Sequence, residues 1–417
     1  MINRRKFNQF VIALAGGFCA LAALPSLAAD PVRIAFIDPL SGPFAAVGAS
    51  GLKQFQFIAD EINAHGGVLG GRKLQVIGFD NKISPKESLI QLKQVIGEGI
   101  QFIVQGNSSG VAHALTDAVA KHNEREPGKR VLYLNYSAVD PSLTNEDCNY
   151  WHFRFDANAD MKMNALTDVI AANKKMKRIY IIGQDYSFGK AVAAAAVKYL
   201  AEKRPDIKIV GNELHPIGKV KDFSPYIAKI KAADAQAVIT GNWGADMLGL
   251  AKAANDAGLE APFYTYYAAA NGITKAIGAG GVGKVRLIGE GTSNPPLTDT
   301  WRDILKRFKA KYPDEDFTQP RTANTIQMLA AAINKANSTD PAKVAAALEG
   351  MTYTTYWGDK VSMRATDHQL QMPIRIFVHT NKNIEFDLDN SGFGLLNEST
   401  ISAEKASVPT TCKMKHI

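Results

Sequence analysis

FIVQGNSSGVAHALTDAVA, residues 102–120, begins as a short apolar strand, passes through a polar knot at Asn107, Ser108, Ser109 and Gly110, and continues with the apolar spacing of an amphipathic helix. A strand that hands over directly to a helix is the repeating unit of α/β proteins. Ser and Asn at such a junction can satisfy the free N–H groups that open a helix. The same N–H groups, at the positive end of the helix dipole, can hold an anion. From this stretch alone both readings stand.

Working outward, the unit repeats on both sides. VRIAFID (32–38), KLQVIGFD (73–80), IQFIVQ (100–105) and RVLYLNY (130–136) are near-continuously apolar, as parallel strands covered on both faces are, and amphipathic helical stretches separate them. After NYWHFRFD (149–156) the pattern restarts with KRIYIIG (177–183), IKIVGNEL (207–214), AQAVITG (235–241), PFYTYY (262–267) and KVRLIGE (284–290). Helices follow at 299–311, 321–337 and 341–349, then short strands in YTTYWG, KVSMR and PIRIFVH. Two runs of strand–helix alternation predict an α/β fold with two parallel-sheet lobes and right-handed crossovers. Changes of lobe are expected near residues 156, 290 and 357. The polar tail from 384 is expected on the surface, tied down by Cys412.

The first 29 residues read differently. Arg4, Arg5 and Lys6 precede an apolar run from Val11 to Leu24 and a small-x-small Ser26-Leu27-Ala28, the pattern of a cleaved secretory signal peptide. The paired arginines also fit a twin-arginine export route. Periplasmic localisation is expected, and the run is too short to span a bilayer comfortably. Loss of the three basic residues takes the formal net charge from +8 to +5, with Lys and Arg scattered among acids. Nothing there suggests a nucleic-acid partner. Two cysteines remain, Cys148 and Cys412, an even pair that in an exported chain predicts a disulfide. No Cys/His cluster has metal-ligand spacing, so neither metal nor cofactor is expected, and the chain is expected to be a monomer.

Two apparent motifs fail on context. GAGGVG (278–283) has the letters of a dinucleotide fingerprint, but a helical stretch precedes it and a strand follows, the reverse of what phosphate binding needs. Ser109 and His113 stand one helical turn apart, without the flanking glycines of a nucleophile elbow or an orienting acid at a recognisable spacing. Catalysis is therefore not expected.

In open parallel sheets, ligands bind beyond the C-terminal ends of strands. Those ends carry Ser108, Ser109 and Gly110; Tyr136, Ser137 and Val139; Asp185, Tyr186 and Phe188; Trp243; and Tyr267. Hydroxyls and N–H groups on one side and rings on the other suit a small carboxylate with an apolar or aromatic body.

The segments PLSGPFAAVG (39–48), INAHGGVLGGRKLQV (62–76), VQGNSSGVA (104–112), YSAVDPSLT (136–144), QDYSFGKAV (184–192) and VKDFSPYIAKIKAADAQAVITGNW (220–243) together resemble the type I periplasmic solute-binding proteins of ABC transporters, in the leucine/isoleucine/valine-binding branch. The resemblance spans about residues 31–380. It implies two Rossmann-like lobes joined by a three-segment hinge, with 30–156 and 290–357 in the first lobe and 157–289 and 358–383 in the second. It also implies an inner-membrane permease as partner. By the same resemblance, Ser109 would receive a ligand carboxylate, and Val139 would offer its N–H but not the hydroxyl of the usual Thr. Ser137 would offer its carbonyl to an amine, while Phe188 and Trp243 would cover the ligand. Tyr267 stands where amino-acid binders carry an acid, and Val47 replaces a Tyr near the mouth. Both changes at Val139 and Tyr267 fall on amine recognition, so the expected ligand is a carboxylate without an α-amino group. An amino acid remains the alternative if Asp185 or Glu290 reaches the amine, and an exported sensor domain is a further one.

Overall fold

A computed structural model of the chain describes residues 30–417, so the expected signal peptide, residues 1–29, lies outside the described residues. The first lobe is built from β1 (Val32–Asp38), α1 (Ala45–Ala64), β2 (Leu74–Asp80), α2 (Pro85–Gly97), β3 (Phe102–Gln105), α3 (Ser109–Arg125), β4 (Leu132–Asn135) and β5 (His152–Arg154). Its five strands are all parallel, in the order β2-β1-β3-β4-β5. The side chains of β3 and β4 are buried on both faces, which is why these strands read as near-continuous apolar runs. Local chemistry sets the helix starts: Ser84 caps α2 by accepting from the Glu87 N–H, with Pro85 in the first turn.

The second lobe repeats the scheme with α4 (Ala159–Ala172), β6 (Arg178–Gln184), α5 (Ser187–Lys203), β7 (Lys208–His215), α6 (Ser224–Ala232), β8 (Ala237–Thr240), α7 (Gly244–Asp256), β9 (Phe263–Thr265), α8 (Ile273–Ile277) and β10 (Val285–Gly289). GAGGVG forms the turn between α8 and β10, the helix-before, strand-after context that its sequence suggested. The chain then returns to the first lobe as α9 (Asp299–Lys311), α10 (Pro320–Ala336) and α11 (Pro341–Leu348), whose Trp301, Phe308, Leu329 and Leu348 join the first core.

The third change of lobe departs from expectation. A small antiparallel sheet of β11 (Thr352–Thr354), β12 (Lys360–Met363) and β13 (Leu370–Gln371) follows α11. It buries Val361, Met363, Leu370 and Met372 in the first core, so residues 358–372 belong with the first lobe rather than the second. The chain crosses at 372–373 into β14 (Ile374–Thr380), and the reason is packing: strands this short carry no local sign of which core they cover.

The tail is also more ordered than its polarity suggested. β15 (Gly394–Ile401) pairs antiparallel with β14 and closes the seven-stranded order β15-β14-β10-β9-β8-β6-β7. After α12 (Ala403–Ala406) the chain runs back to the first lobe, where Thr410 donates to the Thr144 carbonyl and Cys412 is joined to Cys148 by a disulfide. A covalent loop this long is worth ~5–6 kcal/mol in the chain-entropy picture.

Candidate ligand-binding site

The strand ends of the first lobe are drawn together by Asp38. Its buried carboxylate accepts from the Tyr136 hydroxyl at 2.6 Å, from the Asn107 N–H at 3.0 Å and from the Gly106 N–H at 3.3 Å. Gly106 is required there, because a Cβ would lie 2.7 Å from Ser137 Cβ. The loops after β3 and β4 therefore touch, and Ser109 Oγ accepts from the Asp140 N–H at 3.3 Å.

Ser108 precedes α3 with φ at +80°, a conformation costly for a residue with a Cβ, and its side chain makes no capping bond. The N–H groups of Ser109, Gly110 and Val111 make no hydrogen bond among the described residues. On the neighbouring loop, Ser137 and Ala138 donate to Asn135 and Asp140 donates to Ser109, while the Val139 N–H donates to no atom of the described residues. Uncapped N–H groups at a helix start and a free N–H beside them make a cradle of the kind that can receive an anion. In contrast, α2, α4, α9 and α11 are capped by Ser84, Asn158, Thr298 and Asp340.

The second lobe faces this cradle with rings. Phe188 lies at the start of α5, and its ring centroid is 5.9 Å from Tyr186 and 5.9 Å from Tyr267. Trp243 precedes α7 and donates from its indole to the Tyr186 hydroxyl at 2.8 Å. Phe44, from the first lobe, packs against Trp243 and closes one side of the cleft. Between the walls is a cavity lined by Val47, Ser108, Ser109, Ser137, Val139, Tyr186, Phe188, Trp243 and Tyr267, as well as by Glu290 and Arg321.

Three candidates fall elsewhere. Tyr136 is fully buried beneath the loop and spends its hydroxyl on Asp38, a supporting position. Gly110 has no side chain to add to the lining, and what it offers is its main-chain N–H at the start of α3. Asp185 is outside the lining as well, its half-exposed carboxylate 3.3 Å from Lys190, so it does not reach the cavity. His113 points at Asp140 and Asp147 rather than at Ser109.

What the strand-end rule missed is a buried charge cluster along the crossings. Lys162 on α4 pairs with Asp156 at 2.8 Å, and Arg321 at the start of α10 lies 3.5 Å from Asp156 and 3.1 Å from Glu290. Arg321 also donates from its main-chain N–H to the same Glu290 oxygen at 3.0 Å and from Nε to Ser137 Oγ at 3.2 Å. Burial works against its charge, but Glu290 and Asp156 outweigh burial and hold the guanidinium firmly protonated. Tyr267 sits between the two cations, with Lys162 Nζ 4.8 Å and the Arg321 guanidinium 5.5 Å from its ring.

Two α/β lobes, joined by three crossings before the tail returns to the first, close around a cavity at their strand ends as in a periplasmic solute-binding protein, and residues 31–383 match the periplasmic binding protein family model. The chain belongs to that family, in its leucine/isoleucine/valine-binding branch. It is 33% identical over 427 aligned positions to the Leu/Ile/Val-binding protein homolog 4 of Brucella abortus, covering 97% of this chain and 98% of the relative. The closed leucine-, isoleucine-, valine-, threonine- and alanine-binding protein of Brucella ovis is 31% identical and superposes with a TM-score of 0.82, over 93% of this chain and 100% of that one. A solute-binding protein of Rhodopseudomonas palustris, in complex with p-hydroxybenzoic acid, is similar in fold alone at 18% identity, with a TM-score of 0.74 over 90% of this chain and 98% of that one.

Proposed function

We propose that this protein captures a small carboxylate without an α-ammonium group, with an aromatic or otherwise apolar body, in the periplasm and delivers it to an inner-membrane ABC permease. The observation that carries the reading is the position of Arg321. Ser137 is the residue expected to meet an amine, yet its Oγ accepts from the Arg321 guanidinium and its carbonyl lies 3.5 Å from the Tyr267 hydroxyl. A ligand ammonium would enter a corner whose cations, Arg321 and Lys162, already pair with its acids, Asp156 and Glu290. Glu290, the acid best placed to neutralise it, is already shared with Arg321. Displacing a buried pair to accommodate a third charge costs several kcal/mol. The Ser109–Val111 and Val139 N–H groups support the carboxylate end, and Phe188, Trp243 and Tyr267 support an apolar body.

A second reading is favoured by one observation: Glu290 lines the cavity, and the relatives above are named for aliphatic amino acids. Thermal unfolding of the mature protein with leucine, valine, 4-hydroxybenzoate and a hydroxycinnamate separates the two. A ligand at a thousand times its Kd stabilises by about 4 kcal/mol, a shift of several degrees. Stabilisation by the aromatic acids alone is expected, and stabilisation by leucine or valine would establish the amino-acid reading instead.

A further inference from the structure

Beside the carboxylate cradle stand two hydrogen-bond donors that the protein itself does not use up. Arg321 is only 7% exposed, and its Nε and Nη1 are spent on Ser137 and Glu290, but its Nη2 makes no hydrogen bond among the described residues. The Tyr267 hydroxyl has only long contacts, 3.5 Å to the Ser137 carbonyl and 3.4 Å to both Asp156 and Lys162. Burial, reinforced by the Asp156 charge, raises its pKa well above the ordinary phenol value, so it remains an O–H donor.

Arg321, through Nε, and Tyr267, through its hydroxyl, both reach Ser137, which is two residues from the Val139 N–H on the same loop. Ser109, Val139, Arg321 and Tyr267 line one cavity, so a carboxylate at Ser109 and Val139 has Arg321 and Tyr267 as neighbours on the Ser137 side. The charges in that corner are balanced, Lys162 and Arg321 against Asp156 and Glu290, so there is no net attraction for a second anion. Two spare donors in a neutral corner recognise an uncharged acceptor oxygen. We propose that the ligand carries an oxygen on the carbon next to its carboxylate, a 2-oxo or 2-hydroxy acid, and that Arg321 and Tyr267 read that oxygen. This rests on the carboxylate reading above and narrows it to one substrate class.

The test is calorimetry of the mature protein with two matched sets. One is 4-methyl-2-oxopentanoate, 2-hydroxy-4-methylpentanoate, 4-methylpentanoate and leucine; the other is phenylpyruvate, phenyllactate, 3-phenylpropanoate and phenylalanine. At least one oxygenated acid is expected to bind about tenfold or more tighter than its deoxy parent, because the parent leaves buried donors unpaired. Tyr267→Phe and Arg321→Met are each expected to shrink that ratio to within about threefold, whatever each does to the affinity of the deoxy parent. If Arg321→Met does not fold, Tyr267→Phe, which removes a single oxygen atom, carries the test. Equal binding of oxygenated and deoxy acids overturns this inference and leaves the carboxylate reading standing. A preference that survives both variants removes Arg321 and Tyr267 from the role. Amino acids binding more tightly than every acid, or no acid binding, overturns both.

Discussion

The ring of Phe44, from the first lobe, lies 4.4 Å from the indole of Trp243, from the second, and is only 2% exposed. It rests on two glycines of the second lobe, Gly218 and Gly244, where an added Cβ would come within 2.8 and 2.6 Å of the ring. Bare backbone at these two points lets the lobes meet, and the meeting covers the rings that face the cradle. Closure therefore depends on contacts satisfied only in the shut state.

Gly244→Ala should hold the cleft open. The residue has φ of +56°, which costs an L side chain about 1–2 kcal/mol, and the new methyl would strike Phe44. Small-angle scattering of the ligand-saturated variant should give a larger radius of gyration than the native protein, with weaker binding by calorimetry. A variant that closes normally would show that Phe44 is not part of the latch.

Ser109→Ala removes a hydroxyl from the cradle and leaves the helix start in place. Loss of one charge-assisted hydrogen bond should weaken binding of the carboxylate ligand by about 1–3 kcal/mol. The midpoint of thermal unfolding without ligand should change little. Unchanged affinity would take Ser109 out of the site.

Asp38 makes stability depend on pH. Burial raises its carboxyl from 3.8 to about 7, despite the hydrogen bond from Tyr136 and the N–H groups of Asn107 and Gly106. Because the folded state holds the proton more tightly than the unfolded chain, this contribution is complete below about pH 4 and is lost as pH rises towards 7. Asn at position 38 does not titrate, so the stability difference between the native protein and Asp38→Asn should move against the native protein over that window, by at most on the order of 4 kcal/mol. Urea unfolding of both at pH 4.5 and 7.5 measures it, and a gap independent of pH would contradict the assignment.

Much of the site follows from local patterns. Ser109, Val139, Phe188, Trp243 and Tyr267 each stand just past an apolar strand, and in parallel sheets those ends gather on one side. Even there, the pattern cannot say which way a side chain points. Asp185 occupies such an end and turns out to Lys190, while Tyr136 turns under the loop to Asp38.

By itself, the sequence determined two α/β lobes, the strand ends that meet in the cleft and the pairing of Cys148 with Cys412, because period, burial on both faces and an even cysteine count are local or compositional signals. Only the tertiary structure decided that Arg321 stands against Ser137, 184 residues away, that Phe44 seats on Gly244, and that 358–372 cover the first core while 394–401 extend the second sheet. The physical reason is the same in each case. A charge pair, a ring seat or a short edge strand is stabilised by a partner distant in the chain, and no periodicity within a segment records that partner.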